Sequence, residues 1–417
     1  MTKTIKLIVF LFSVCVAANG QVVPEATGPG GLPVAGNLDY SVRYSQTASF
    51  GSTLGNYQSA NASASLDYSN AKARLPFSLA YTGGYSWNIE GPSYGSGLFQ
   101  NISLSQGITG RKWNVALTDN ISFRAQAPTT GFSGITGAGD PIGTPTSGPP
   151  TDQSILNVNT EAINNNAGGQ FTRTINSAIS LNAGATSSLL RYPDGNAIDT
   201  DAFMANGGLS WRINGRNSMT GSFAYSDFSY PGSNTGFTTV TALVGFSRQW
   251  SRRLVTTGNV GPEWIQSSNT SVQYSDIPVV PSSTRISATA SITYQMRSGA
   301  AGLNYSHGTS GGAGYLIGAE SDILSGNYSR DFHKKLTLGF TTSYLRTSGL
   351  SSNGVTEAVY GSAQASRQFG RYLSFFANYT AIDQSTSSQL PGNAFTGLQQ
   401  VIGFGIGYTP RKIELKH

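Results

Sequence analysis

Cysteine, histidine, charge and long apolar runs are all scarce in this chain of 417 residues. Its only cysteine, Cys15, lies in an N-terminal segment that reads as a cleavable signal, which excludes disulfides, cysteine nucleophiles and cysteine-ligated metals from the mature chain. Charged residues make up 11% of the sequence, against about 25% in a typical soluble protein. No later stretch approaches the roughly 20 apolar residues of a transmembrane helix. Apolar side chains must therefore alternate with polar ones.

The first 20 residues predict export. In MTKTIKLIVFLFSVCVAANG, Lys3 and Lys6 precede an apolar run that ends in Ala18-Asn19-Gly20. This is the pattern of a secretory signal peptide, with predicted cleavage before Gln21. We therefore divide the chain into a signal peptide (1–20), a short periplasmic segment (21–36), a β-domain (37–408) and a periplasmic C-terminal tail (409–417).

Alternation with a period of two recurs along the β-domain. From Leu75 to Trp87, large apolar residues and glycine alternate with small and polar ones, and the same holds from Ile286 to Met296. Runs of about ten such residues are typical of strands that show lipid and lumen in turn. Two classes fit: a transmembrane antiparallel up-and-down β-barrel, which we favour, or an exported β-solenoid or adhesin.

Strand counting predicts about 18 strands. The uncertain region is 153–174, where alternation is poor, so 16 strands are the alternative. An even number places both ends of the barrel on one side. Connections alternate between short basic turns, such as Ser251–Arg253, and longer acidic loops, of which 126–152 is the longest. Short turns face the periplasm in such barrels, and loop 126–152 is our candidate for an inward-folded constriction.

A serine, a basic residue and then an aromatic residue recur before three short turns, in SRQW (247–250), SRDF (329–332) and SRQF (366–369). We interpret Trp250, Phe332 and Phe369 as a periplasmic aromatic girdle. A basic rim follows in water, comprising Arg252, Arg253, Lys334, Lys335, Arg367 and Arg371. It either completes the hairpins at the membrane face or gathers anionic substrates from the periplasm.

These features resemble Gram-negative outer-membrane β-barrels of the porin type. The resemblance is architectural, covers nearly the whole chain and involves no motif of a particular family. It implies an outer-membrane location, with membrane lipids and the barrel insertion machinery as partners, as a monomer or a homotrimer. Such barrels commonly end in an aromatic residue, whereas here TPRKIELKH follows Tyr408.

The predicted lumen is polar and weakly charged. Six charged residues fall on inward positions: Arg43, Arg124, Arg285, Asp39, Asp67 and Glu263. The arginines form an anion-attracting wall or pair with the acids across the lumen. Asp119 falls on the lipid-facing phase of its strand, which indicates a β-bulge or a wrong register.

Catalytic, cofactor and metal sites are not predicted, and neither is nucleic-acid binding. A serine–histidine–acid site would need His307 or His333; we favour a solvated residue at His333, in a basic turn, and a non-catalytic one at His307, near an outer strand end. Since barrels of about 16 to 18 strands enclose water, the predicted function is a channel for hydrophilic solutes. Two alternatives stay open: an export pore for an anionic exopolysaccharide, and a non-conducting surface anchor or adhesin barrel.

Overall fold

The structure is a computed structural model, and it describes residues 36–51, 55–70, 75–91, 96–125, 161–193, 195, 197–231, 235–267, 280–312, 315–332, 335–387 and 396–415. The predicted signal peptide, most of segment 21–36 and loop 126–152 lie outside these residues. So does Lys334.

Regular structure in the described residues consists of strands. None of these residues belongs to a helix long and apolar enough to cross a membrane. In chain order the strands are β1 (Gly36–Gly51), β2 (Tyr57–Asn70), β3 (Phe77–Glu90), β4 (Gly97–Thr109), β5 (Trp113–Ala125), β6 (Glu161–Thr174), β7 (Ile179–Arg191), β8 (Thr200–Arg212), β9 (Asn217–Tyr230), β10 (Thr235–Gln249), β11 (Leu254–Ser267), β12 (Ser283–Met296), β13 (Gly299–Ser310), β14 (Ala319–Phe332), β15 (Leu336–Gly349), β16 (Val355–Phe369), β17 (Leu373–Thr386), β18 (Gly397–Tyr408) and the short β19 (Ile413–Leu415).

Eighteen strands form a closed antiparallel up-and-down barrel, as predicted, and the alternative of sixteen is wrong. Each strand pairs with its neighbour in sequence, and β1 pairs with β18 to close the ring, from Val42 opposite Tyr408 to Gly51 opposite Gln399. The uncertain region supplies β6, which pairs with both β5 and β7. Strand β19 follows β18 along the same side of β1 and adds three pairs to the beginning of β1.

The alternation in the sequence decides which side chains point out of the barrel (outward) and which point into it (inward). In β10, outward Val244 and Phe246 are 62% and 47% exposed, whereas inward Thr239 and Thr241 are buried. The outward face therefore offers apolar side chains to a surrounding membrane, and in the closed ring each of the eighteen strands pairs with two neighbours.

The two ends of the barrel differ in their connections. At one end, called the short-turn end, strands meet in tight turns. Two of these turns have an asparagine whose Oδ1 accepts hydrogen bonds from backbone N–H groups: Asn176 from Ala178 and Ile179, and Asn214 from Arg216 and Asn217. Both ends of the barrel domain lie here. The opposite end is called the long-loop end.

Asp119 lies in the middle of β5 with regular pairing on both sides. It is opposite Leu104 of β4 and Ala167 of β6, and neither pairing shows a register shift. The register shift among the described strands lies instead at Gln58 and Ser59 of β2. The predicted explanation by a bulge or a wrong register is therefore wrong: Asp119 points outward.

Candidate functional site

The barrel interior is the candidate functional site, and hydroxyl and amide groups dominate its wall. These groups bond to one another across neighbouring strands. Thr47 and Ser59 hydroxyls are 2.7 Å apart, as are those of Ser41 and Ser65. Further along, the Asn259 amide donates to Thr289 Oγ1 at 3.0 Å. Such a wall can exchange hydrogen bonds with water and with polar solutes.

A first group of inward charges lies at the short-turn end. Asp39 and Asp67 are directly opposite each other on β1 and β2, and Arg43 lies four residues further along β1 on the same inward face. Lys412, between β18 and β19, contacts Asp39 with its Nζ 2.8 Å from Oδ2. The hydrogen bond and charge of Asp39 raise the pKa of Lys412 above its ordinary value. Sequence analysis placed the acids inward but did not anticipate Lys412 as a partner.

A second charged group lies near the long-loop end, where the wall is incomplete. Pairing between β12 and β13 stops at Ala288 and His307, although both strands continue beyond these residues. Arg285 is opposite Glu263 in register, yet its guanidinium forms an ion pair with Glu320 of β14. These side chains therefore bridge the separated part of the wall.

The same group includes a buried acid and a histidine. Glu263 is 5% exposed and accepts hydrogen bonds from Thr309 Oγ1 at 2.9 Å and Thr241 Oγ1 at 3.4 Å. His307 lies between two carboxylates, with Nδ1 2.8 Å from Asp322 and Nε2 3.2 Å from Glu320. These contacts connect the ends of β13 and β14 to the three strands β10, β11 and β12.

An apolar cluster inside the barrel was not predicted from the sequence. Phe228 of β9 and Phe237 of β10 are opposite each other and stacked, with ring centroids 4.8 Å apart. Residues of strands and of several long-loop-end connections pack around them, and we call this set the inner cluster: Ala202, Phe228, Tyr230, Phe237, Ile265, Val280 and Leu350, with Ile198, Met204 and Ile317 at its edge. The sequence did contain a signal for this cluster, because large residues occupy inward positions of the alternating pattern here.

The described residues of the connection between β13 and β14, 311–312 and 315–318, reach this cluster. The Tyr230 hydroxyl donates to the Gly311 carbonyl at 3.0 Å, and Tyr315 and Leu316 are buried. A Cβ on Gly318 would clash with the Phe237 ring, and its φ of +72° favours glycine. Part of the long-loop end therefore folds inward through this connection, whereas the candidate 126–152 lies outside the described residues.

The repeated serine–basic–aromatic motif forms the same contact three times at the short-turn end. In each copy the arginine guanidinium lies over the aromatic ring two residues later: Arg248 over Trp250 at 3.9 Å, Arg330 over Phe332 at 4.9 Å and Arg367 over Phe369 at 4.9 Å. Residues two apart on a strand share a face, and these pairs lie on the outward face. Arg367, which we predicted as part of the basic rim, therefore lies on the outward face over Phe369.

The remaining predicted site residues lie apart from these groups. Arg252, Arg253, Lys335 and Arg371 are exposed in or beside short turns. Arg124 is opposite Phe99 and Ala162, and its side chain lies outside the described part of the structure. In the part of the chain that is described, no group of three or more His, Cys, Asp or Glu residues is arranged to hold a metal.

Comparison with known proteins adds a likeness in fold. No family model matches the sequence, and no curated protein matches it. Among solved structures, the chain is similar to OccK2 (OpdF) of Pseudomonas aeruginosa in complex with glucuronate, with 13% identity, a TM-score of 0.47 and coverage of 91% of this chain and 98% of that one. OccAB3 of Acinetobacter baumannii has 10% identity, a TM-score of 0.45 and coverage of 91% and 99%. OprD of P. aeruginosa has 10% identity, a TM-score of 0.42 and coverage of 91% and 95%. At these values, the function has to be argued from the chain's own residues.

Proposed function

We propose that the protein is an outer-membrane channel that lets hydrophilic solutes pass through its polar interior. The observation that carries this proposal is the division of the wall into two faces. The outward face is apolar, and the inward face has hydroxyl and amide groups, as in Thr47, Ser59, Asn259 and Thr289. Because polar solutes lose hydration when they enter hydrocarbon, a hydrated lumen lowers the cost of crossing.

Strand number supports an aqueous interior. Barrels of about eight strands fill with side chains, whereas 16 to 18 strands leave a water-filled channel. Here the inward side chains at the middle of many strands are small, for example Ser291 in β12, Thr341 in β15 and Ser362 in β16. The inner cluster and the described residues of the β13–β14 connection occupy space near one side of the long-loop end and would narrow that opening.

No contact among the described residues favours polysaccharide export or a sealed surface anchor over this function. The arginines of the repeated motif stack on outward aromatic rings. They therefore do not support the hypothesis that a cationic opening gathers an anionic polymer. We therefore propose passive diffusion of small polar solutes, with the short turns in the periplasm.

The test is conductance of the folded mature protein in planar bilayers. We expect a stable ohmic conductance. Thr341 and Thr342 provide a matched pair, since they are adjacent, identical in type and on opposite faces of β15. In Thr341→Cys, a charged thiol reagent should react and change the conductance, whereas in Thr342→Cys the lipid should protect the thiol. A folded barrel without conductance, or equal labelling at both positions, would contradict the proposal.

A further inference from the structure

Carboxamide side chains recur on the inward face at one height of the barrel. Counted from the short-turn end, the sixth residue of each strand from β11 to β17 points inward, and five of these seven residues are asparagine or glutamine. We call the seven the carboxamide belt: Asn259, Ser291, Asn304, Asn327, Thr341, Gln364 and Asn378. Within it, Ser291 is opposite Asn304, and Gln364 is opposite Asn378. The belt is therefore a continuous polar surface on one side of the lumen.

Glycine lies directly opposite four of the carboxamides on a neighbouring strand. The pairs are Asn259 with Gly245, Asn327 with Gly302, Gln364 with Gly339 and Asn378 with Gly403. A Cβ on Gly302 would lie 2.5 Å from Asn327 Oδ1, and one on Gly339 would lie 3.0 Å from Gln364 Nε2. A larger residue at these positions would push the amide away from the wall. The glycines therefore hold the carboxamides against the wall.

The belt offers both kinds of hydrogen-bonding group to the lumen. A carboxamide has an oxygen that accepts and, beside it, an NH₂ group that donates. Asn304 and Asn327 are exposed. Asn259 shows both roles along the wall, since it accepts from Thr220 Oγ1 at 3.2 Å and donates to Thr289 Oγ1 at 3.0 Å. Two hydroxyl groups on adjacent carbons of a solute can thus bond to one carboxamide, one as donor and one as acceptor.

Charge lies outside the belt on these strands. Three inward residues of β11 to β17 are charged: Glu263 and Arg285, toward the long-loop end, and Asp331, beside a short turn. Each already has a partner in the wall. A charged group on a solute would give up hydration at the belt without meeting an opposite charge, whereas hydroxyl groups would exchange water for amide partners. The belt therefore favours uncharged solutes.

We propose that the carboxamide belt binds uncharged solutes with several hydroxyl groups, such as oligosaccharides, while they pass through the lumen. This inference rests on the proposed channel function and names the class of solute. Neighbouring strands are about 4.8 Å apart, a spacing comparable to the length of one pyranose ring. Carboxamides on successive strands, such as Gln364 and Asn378, can therefore bond to successive rings of one oligosaccharide.

Block of the ionic current in planar bilayers tests the belt. Maltotriose is the neutral probe, and trigalacturonate is the control because it has the same number of pyranose rings with a carboxylate on each. We expect maltotriose to reduce the current in a saturable manner, and trigalacturonate to reduce it several-fold less at the same concentration. An open channel that maltotriose does not block, or that both sugars block equally, would overturn the proposal. A folded barrel without any current would instead contradict the channel function.

Two matched pairs of variants assign the block to the belt. Gln364→Leu removes a belt amide, and Gln46→Leu makes the same change on the outward face of β1. Relative to the current without sugar, the block by maltotriose should weaken several-fold in Gln364→Leu and persist in Gln46→Leu. Gly302→Ala should also weaken the block, because its Cβ displaces the Asn327 amide, whereas Gly361→Ala fills open space on the outward face and should not. Equal block in all four variants would show that the belt does not bind the sugar.

Discussion

At the scale of single residues, Lys412 shows how one side chain joins distant parts of the chain. Its amine contacts Asp39, which lies opposite Asp67 at the short-turn end. Two carboxylates in register repel each other, and a lysine beside them offsets that repulsion. The contact also holds the segment that leads into β19 against the beginning of β1.

The raised pKa of Lys412 predicts how this contact responds to pH. A folded-state pKa above the ordinary value of about 10.4 means that the contribution to stability is complete below that value and is lost as the pH rises through the folded-state pKa. We expect NMR of ¹³C-methylated lysines to show Lys412 titrating above its ordinary value. In Asp39→Asn, its pKa should fall toward that value; an unchanged pKa would mean that Asp39 is not the cause.

At the scale of elements, two kinds of contact hold the β13–β14 hairpin in place. Its strands separate from β12 beyond His307, and the Arg285–Glu320 ion pair and the Thr309–Glu263 hydrogen bond bridge the separation. Its connection then packs on Phe237 and the rest of the inner cluster. The hairpin is therefore held both by polar contacts in the wall and by apolar contacts in the interior.

Removing the inner cluster's central ring should widen the long-loop end. Phe237 is fully buried, and truncating such a ring to alanine costs about 3–5 kcal/mol of packing, whereas the strand ladder of β10 stays intact. We expect Phe237→Ala to raise the single-channel conductance and its fluctuations. Phe246→Ala changes the same residue type on the outward face of the same strand and should leave conductance unchanged. Identical conductance in both variants would show that the inner cluster does not restrict the opening.

At the scale of the whole molecule, closure depends on the pairing of β1 with β18, to which β19 adds only three pairs. Within hydrocarbon, each unpaired backbone group costs several kcal/mol, so an open edge is not tolerated. The two C-terminal strands should therefore differ sharply in importance.

Two truncations test this difference. A chain ending at Thr409 loses β19 and Lys412 but keeps the closing ladder, so it should fold and melt only a few degrees below the full chain. A chain ending at Thr396 loses β18 and should leave β1 and β17 as open edges that cannot insert stably. Far-UV circular dichroism and heat-dependent electrophoretic mobility distinguish these outcomes. Folding of the shorter chain would contradict the role of β18 in closure.

The sequence by itself determined the antiparallel barrel and the division into two faces, because alternation with a period of two is a local property of each strand. It limited the strand number to about 18 or 16, and the pairing of β6 with β5 and β7 decided for 18. The same alternation put Asp119 on the lipid-facing phase of its strand, but a bulge or a wrong register was the predicted explanation, and only the regular pairing of β5 with β4 and β6 showed that Asp119 points outward. Tertiary structure alone decided which residues meet across strands and loops. The Lys412–Asp39 and Arg285–Glu320 pairs, and the packing of Leu350 with Phe237, join residues that become neighbours only when the ring closes and the connections fold inward. No periodic pattern along the chain carries that information.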